Sequence, residues 1–252
     1  MKILDIKNTK IGEGIPKIVV PLVGKNQDEI VKESEKLKNI SFDIVEWRAD
    51  FCDFYEDIEV IESTLISIRN NIGNKPILFT FRTSEEGGEK SIDPTDYLNL
   101  NNKVASLKLV DLIDVEIYRE KFIVEEIISC CHQNEVRVIG SNHHFDKTPS
   151  KQEIIDTLKK MDEFNCDILK IAVMPKDKFD VLELLQATVE SNLILDKPVV
   201  TMSMAKEGMI SRLCGEVFGS CLTFGVGEKS SAPGQIEAND LKKVLEVIHK
   251  NL

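Results

Sequence analysis

Short apolar, β-branched runs alternate along this chain with longer segments whose apolar residues recur every three or four positions. The runs predict strands at Ile18–Val23, Ile44–Arg48, Ile77–Arg82, Leu112–Ile117, Val136–Ser141, Ile168–Val173, Val199–Met202 and Cys221–Gly225. Helices are expected near 28–38, 57–71, 95–108, 120–133, 150–164, 178–191, 207–218 and 237–250. The last has Leu241, Val244, Leu245 and Ile248 on one stripe. Ser150-Lys151-Gln152-Glu153 reads as a capping box, and Gly73 and Pro76 punctuate the step from the second helix to the third strand.

Eight strand-then-helix units imply parallel strands joined by right-handed crossovers. The count fits closure into a (β/α)8 TIM barrel, one catalytic domain over residues 1–252, a length near the roughly 250 typical of that fold. The first residues, with Gly12 and Gly14, suggest a short hairpin or plug ahead of the barrel. Neither Gly12-x-Gly14 nor Gly225-x-Gly227 completes a dinucleotide fingerprint.

Composition narrows the partners. A net charge of −11 argues against general nucleic-acid binding, while local arginines can still attract a small anion. No apolar run reaches membrane-spanning length and no secretory signal is evident, so a cytoplasmic protein with reduced cysteines is expected. Cys130-Cys131-His132 are consecutive and cannot easily converge on one ion, so no metal is expected there.

One residue breaks the apolar pattern. Lys170 lies inside Ile168-Leu169-Lys170-Ile171-Ala172-Val173, where a core strand would exclude a cation. An edge-strand lysine reaching for water is the plain explanation. A buried lysine whose pKa falls becomes a nucleophile suited to Schiff-base chemistry. Other polar residues gather at the strand ends, where barrel enzymes keep their chemistry. They are Glu46 and Arg48 on one face, Arg82 with Glu86 in the following loop, His143 and His144, Arg212, Ser231 and Gln235. Glu46 with Arg48 could be only a structural ion pair, and Ser231-Ala232-Pro233-Gly234 only a turn.

The ordered series of segments is similar to the type I 3-dehydroquinate dehydratases. It comprises Val45-Glu46-Trp47-Arg48-Ala49-Asp50, Thr80-Phe81-Arg82-Thr83, Glu86-Gly87-Gly88, Ser141-Asn142-His143-His144-Phe145-Asp146-Lys147-Thr148-Pro149, Lys170-Ile171-Ala172-Val173-Met174-Pro175, Ser211-Arg212, Phe218-Gly219-Ser220, Leu222-Thr223-Phe224 and Ala232-Pro233-Gly234-Gln235. The resemblance implies syn elimination of water from 3-dehydroquinate through a Lys170 Schiff base in the shikimate pathway. It assigns His143 as general acid and base and Glu86 as its orienting carboxylate. Arg212 would grip the substrate carboxylate, and Glu46, Arg48, Arg82, Ser231 and Gln235 would contact the rest. It further implies a homodimer and no cofactor. Two positions depart from the family's usual pattern: His144 stands where Asp or Asn is usual, and Ala205 where Gly is frequent. The rival readings are an aldolase-like Schiff-base barrel and a barrel that binds a carboxylate without turning it over.

Overall fold

Parallel strands with apolar residues on both faces need cover inside and out, and a closed barrel ringed by helices supplies both. In the computed structural model, which describes residues 3–227, 229 and 231–252, that is the architecture. The strands, in chain order, are β1 (Leu4–Ile6), β2 (Thr9–Ile11), β3 (Lys17–Leu22), β4 (Ile44–Arg48), β5 (Ile77–Thr80), β6 (Leu112–Glu116), β7 (Arg137–His144), β8 (Ile168–Val173), β9 (Val199–Ser203), β10 (Leu222–Val226) and β11 (Ile236–Glu237). The helices are α1 (Gln27–Lys36), α2 (Ile58–Ile72), α3 (Pro94–Leu107), α4 (Lys121–Gln133), α5 (Lys151–Glu163), α6 (Lys178–Ile194), α7 (Met209–Leu213), α8 (Gly215–Phe218) and α9 (Ala238–Lys250). Strands β3 to β10 are the eight barrel staves. From β3 to β9 each pairs in parallel with the next, and β10 pairs with β3. The β9–β10 seam closes through the Cys221 N–H donating to the Val199 carbonyl at 2.9 Å, and through the Ser220 hydroxyl, which accepts from the Thr201 N–H.

Period-two alternation sorts each stave. Outward residues such as Val45, Trp47, Phe79, Val115 and Leu169 join the apolar faces of the helices in the larger core. Inward residues at the lower end, among them Val19, Ile44, Leu78, Leu112, Ile139, Ile168, Val200 and Leu222, form a second core. The N-terminal hairpin β1–β2 plugs it with Ile6 and Ile11. Each such fully buried aliphatic side chain contributes about 1.5–3 kcal/mol. The hairpin turns on Lys7 and Asn8 at φ 49° and 67°, the positive values that a two-residue reversal requires. The plug leaves only the upper end open.

The caps follow the sequence reading. Asn26, Asp57, Asp93 and Asp177 cap α1, α2, α3 and α6, and Ser150 with Glu153 forms the expected box on α5. Two elements differ from expectation. The helix foreseen over 207–218 is two short helices, α7 and α8. The Arg212 carbonyl, which a continuous helix would use internally, instead accepts from the Thr223 hydroxyl of β10 at 3.0 Å. Strand β7 runs three residues past Ser141, to His144, because Asn142, His143 and His144 continue the ladder against Ile171, Ala172 and Val173.

Candidate active site

Above the apolar plug, the inward positions turn polar. Glu46, Thr80, Asp114, Ser141 and Lys170 point into the barrel, with Arg48, Arg82, Glu116 and His143 one step nearer the mouth. A cleft opens there, at the end of the barrel away from the plug. The nine residues to which the resemblance gives site roles all line it: Glu46, Arg48, Arg82, Glu86, His143, Lys170, Arg212, Ser231 and Gln235. Met202, Met204, Phe224 and Phe145 supply apolar walls.

Lys170 is an interior residue, 3% exposed, so the edge-strand reading does not apply. Its Nζ lies 3.0 Å from Asp114 Oδ2 and 4.7 Å from the centre of the Phe224 ring. Burial alone would raise the Asp114 carboxyl. The charges of Arg82 and Lys170 outweigh it and hold the group at about 2. Arg82 donates to Asp114 (2.7 Å), Glu116 (3.0 Å) and Ser141 (3.0 Å), and stands 3.6 Å from Glu86. It is therefore the hub of the acidic cluster as well as part of the cleft wall.

His143 occupies an inward position at the end of β7. Its Nδ1 is 2.8 Å from Glu86 Oε2, while Asn142 donates to Glu86 Oε1 at 3.1 Å. Burial, with Arg82, Lys170 and Arg48 nearby, pushes His143 well below its ordinary range. Burial also pushes Glu86 up, to about 8. In a neutral imidazole one ring nitrogen carries the proton and the other is a base, and the bond to Glu86 governs which is which. His144 alternates away from the cleft and lines an adjoining surface groove with Tyr118, Arg119 and Asp146, a groove that shares Glu86, His143 and Phe145 with the cleft.

Glu86 reaches this position through a tight loop after β5. The Gly88 N–H donates to the Thr83 carbonyl at 2.8 Å, and a Cβ at Gly88 would fall 1.9 Å from the Arg82 carbonyl oxygen. Only glycine fits that approach. Arg48 does not pair with Glu46. It forms a two-point bridge to Asp50, at 2.8 Å for each bond, and Glu46 accepts from the Thr80 hydroxyl at 3.0 Å.

Arg212 is 2% exposed, and among the described residues no carboxylate reaches it. Its Nη2 donates to the Pro233 carbonyl at 3.2 Å, and its Nε has no partner among the described residues. Burial holds its pKa down at about 10. The segment with Ser231 and Gln235 lies across the cleft. The Gln235 amide bonds to Ser231 at both ends, and the Ser231 carbonyl accepts from Arg48. Gly234, at φ 78°, packs so closely on the Ala205 carbonyl that a Cβ would sit 2.2 Å from its oxygen. Ala205 itself adopts φ 56°, which explains why glycine suits the position.

Sequence reading missed Asp50, Asp114 and Glu116. Asp114-x-Glu116 on β6 has the spacing of Glu46-x-Arg48 on β4, two charged residues sharing one face of an apolar strand, and that signal would have found both acids.

A plugged barrel whose open mouth holds a buried lysine, a histidine–carboxylate pair and an arginine with no carboxylate partner among the described residues has the make-up of an enzyme of the (β/α)8 class. The profile of the type I 3-dehydroquinase family matches residues 18–252, and the chain belongs to that family. A 3-dehydroquinate dehydratase of Clostridium botulinum is 52% identical over 252 residues, covering 100% of this chain and 99% of its own. One from Clostridioides difficile is 48% identical over 250 residues, covering 99% and 98%. Among solved structures, the type I enzyme from Clostridium difficile, with covalently modified comenic acid, superposes with a TM-score of 0.97 at 48% identity, covering 100% of this chain and 99% of its own. The Geobacillus kaustophilus enzyme gives 0.96 at 36%, covering 99% and 97%. The activity is that of a hydro-lyase, the dehydration of 3-dehydroquinate in the shikimate pathway of aromatic biosynthesis.

Proposed function

We propose that the dehydration runs through a Schiff base on Lys170, with His143 as general base and then general acid. The observation that carries this reading is a single cleft holding a buried lysine, a histidine kept uncharged and a buried arginine without a carboxylate partner among the described residues. The neutral amine attacks the C3 ketone, and the carbinolamine takes up a proton and loses water to give an iminium. That cation acidifies the neighbouring C2–H. His143 Nε2 removes the proton and the electron pair moves to nitrogen. Protonated His143 then gives its proton to the C1 hydroxyl, which leaves as water from the same face. Hydrolysis of the new iminium releases 3-dehydroshikimate and restores the lysine. The lysine itself activates the carbonyl, so the route calls for no metal or organic cofactor.

Glu86 orients His143 and stabilises its cationic form. Arg212 offers a planar fork to the substrate carboxylate. Glu46, Arg48 and Arg82 border the hydroxyl-bearing ring, and Ser231 with Gln235 closes over it. The covalently modified ligand of the C. difficile structure fits a covalent route. Residues 1–252 act as one catalytic domain, in a cytoplasmic homodimer whose stoichiometry light scattering would test.

Borohydride trapping in the presence of 3-dehydroquinate, read by intact mass and peptide mapping, separates the readings. An adduct on Lys170 with release of the dehydrated product supports the dehydratase route. A C–C cleavage product indicates an aldolase, and no adduct indicates binding alone. Lys170→Met, close in volume, should lose both adduct and turnover while keeping its fold. Substantial dehydration by that variant would overturn the mechanism.

A further inference from the structure

A lysine that becomes an iminium carries a positive charge and only one N–H. In a buried site that single N–H needs an acceptor, and the charge needs a partner. We infer that Asp114 is the counter-ion of the Lys170 nitrogen throughout the covalent cycle, an assignment that rests on the Schiff-base reading. Three features support it.

The first is contact. Asp114 Oδ2 lies 3.0 Å from Lys170 Nζ, and no other carboxylate among the described residues pairs with that nitrogen. The remaining acids of the cluster are engaged elsewhere. Glu46 accepts from Thr80, Glu116 from Arg82 and Thr83, and Glu86 from Asn142 beside His143.

The second is fixation. Asp114 Oδ1 accepts from Arg82 Nη2 at 2.7 Å and from the Ser141 hydroxyl. Turning the carboxylate would break both bonds, so Oδ2 stays directed at the lysine. Asp114 is on β6 and Lys170 on β8. Ser141 is the inward residue of the intervening β7, in register with Lys170, and a side chain this small lets the two meet across it.

The third is electrostatics. The carboxyl, held at about 2, remains ionised across the neutral range. The Phe224 ring, 4.7 Å from Nζ, adds a second surface that favours a cation. The chemistry uses the charge in sequence. Iminium formation consumes one proton and places a positive charge on nitrogen. Loss of the C2 proton to His143 delivers electrons that neutralise it. Departure of the C1 hydroxyl, as water, draws those electrons away and restores it. A fixed anion beside the nitrogen stabilises both iminium states relative to the carbinolamines.

Asp114→Asn tests this, because it keeps the shape and removes the charge. Imine trapping on Lys170 by cyanoborohydride, which reduces the protonated imine, and kcat/KM would be followed against pH, with circular dichroism to monitor folding. An opposite charge at this range shifts protonation by about 1–3 pH units. Both profiles of the variant should therefore move to lower pH by that amount. Trapping at neutral pH should fall at least about tenfold and recover on acidification. Profiles that superimpose on the wild type, even with a uniformly lower rate, would make Asp114 merely structural and overturn the assignment. Absence of an adduct in the wild type would instead remove the Schiff-base reading. Should Asp114→Asn not fold, a crystal structure of the wild-type trapped adduct decides. Its secondary amine nitrogen should lie within about 3.2 Å of Asp114 Oδ2. A nitrogen swung away from Asp114 overturns the proposal.

Discussion

Arg212→Met should make the protein more stable and a far poorer catalyst. The wild-type guanidinium is buried, without a carboxylate partner among the described residues, and its pKa is held at about 10 rather than the usual 12.5. That depression corresponds to about 3 kcal/mol of burial cost carried by the folded state at neutral pH. A methionine keeps the apolar stem and drops the charge. The lost bond to the Pro233 carbonyl returns about 1 kcal/mol, since Pro233 is exposed and water can replace the donor. The net gain is about 2 kcal/mol, or roughly 4–8 °C in Tm for a chain this size. Function moves the other way. Two charge-assisted bonds to a substrate carboxylate are worth about 3–6 kcal/mol, so kcat/KM should fall by about 10²–10⁴. Urea unfolding followed by circular dichroism measures the first effect, and the ultraviolet absorbance of the conjugated product measures the second. Ligand-induced stabilisation should be present in the wild type and absent in the variant. A variant less stable than wild type by more than about 1 kcal/mol, with kcat/KM within about threefold, would show that Arg212 is a structural residue and refute the reasoning.

Three further outcomes are expected. His143→Ala should slow elimination by about 10²-fold or more and accumulate trappable imine, whereas His144→Ala should be nearly silent; the reverse pattern in steady-state kinetics would reassign the base. Glu86→Gln should lose activity yet gain stability as pH rises. A carboxyl raised to about 8 from an unfolded value near 4.3 contributes stability below that value and loses it progressively up to about 8, so the variant's advantage over wild type should grow between about pH 5 and 8, and a flat difference would contradict the burial argument. Gln235→Ala should lower both affinity and turnover, and amides of residues 231–236 should exchange more slowly with product bound; equal exchange with wild-type kinetics would remove this segment from the site.

Strand order, helix order and the plug are legible from local periodicity and glycine placement, whereas Glu86, Arg212, Ser231 and Gln235, which lie beyond the strands, are gathered with the rest by the resemblance. In a strand, position i and position i+2 share a face whatever the neighbours are, so Glu46 and Arg48 are placed together, while the run around Lys170 alone leaves an edge-strand position open. The same rule applied to Asp114-x-Glu116 marks those acids from the sequence as well. Pairing is different in kind. That Arg82 gathers Asp114, Glu116 and Ser141 depends on how adjacent staves are staggered. Register links residues some thirty to sixty positions apart, beyond the reach of any local pattern. The break between α7 and α8 likewise needs Thr223 of a later strand to take the Arg212 carbonyl. The sequence by itself therefore determined which side chains face the mouth of the barrel. Only the tertiary structure decided which charges cancel there and which, as at Arg212, have no carboxylate partner among the described residues, because cancellation is a matter of distance between side chains and not of order along the chain.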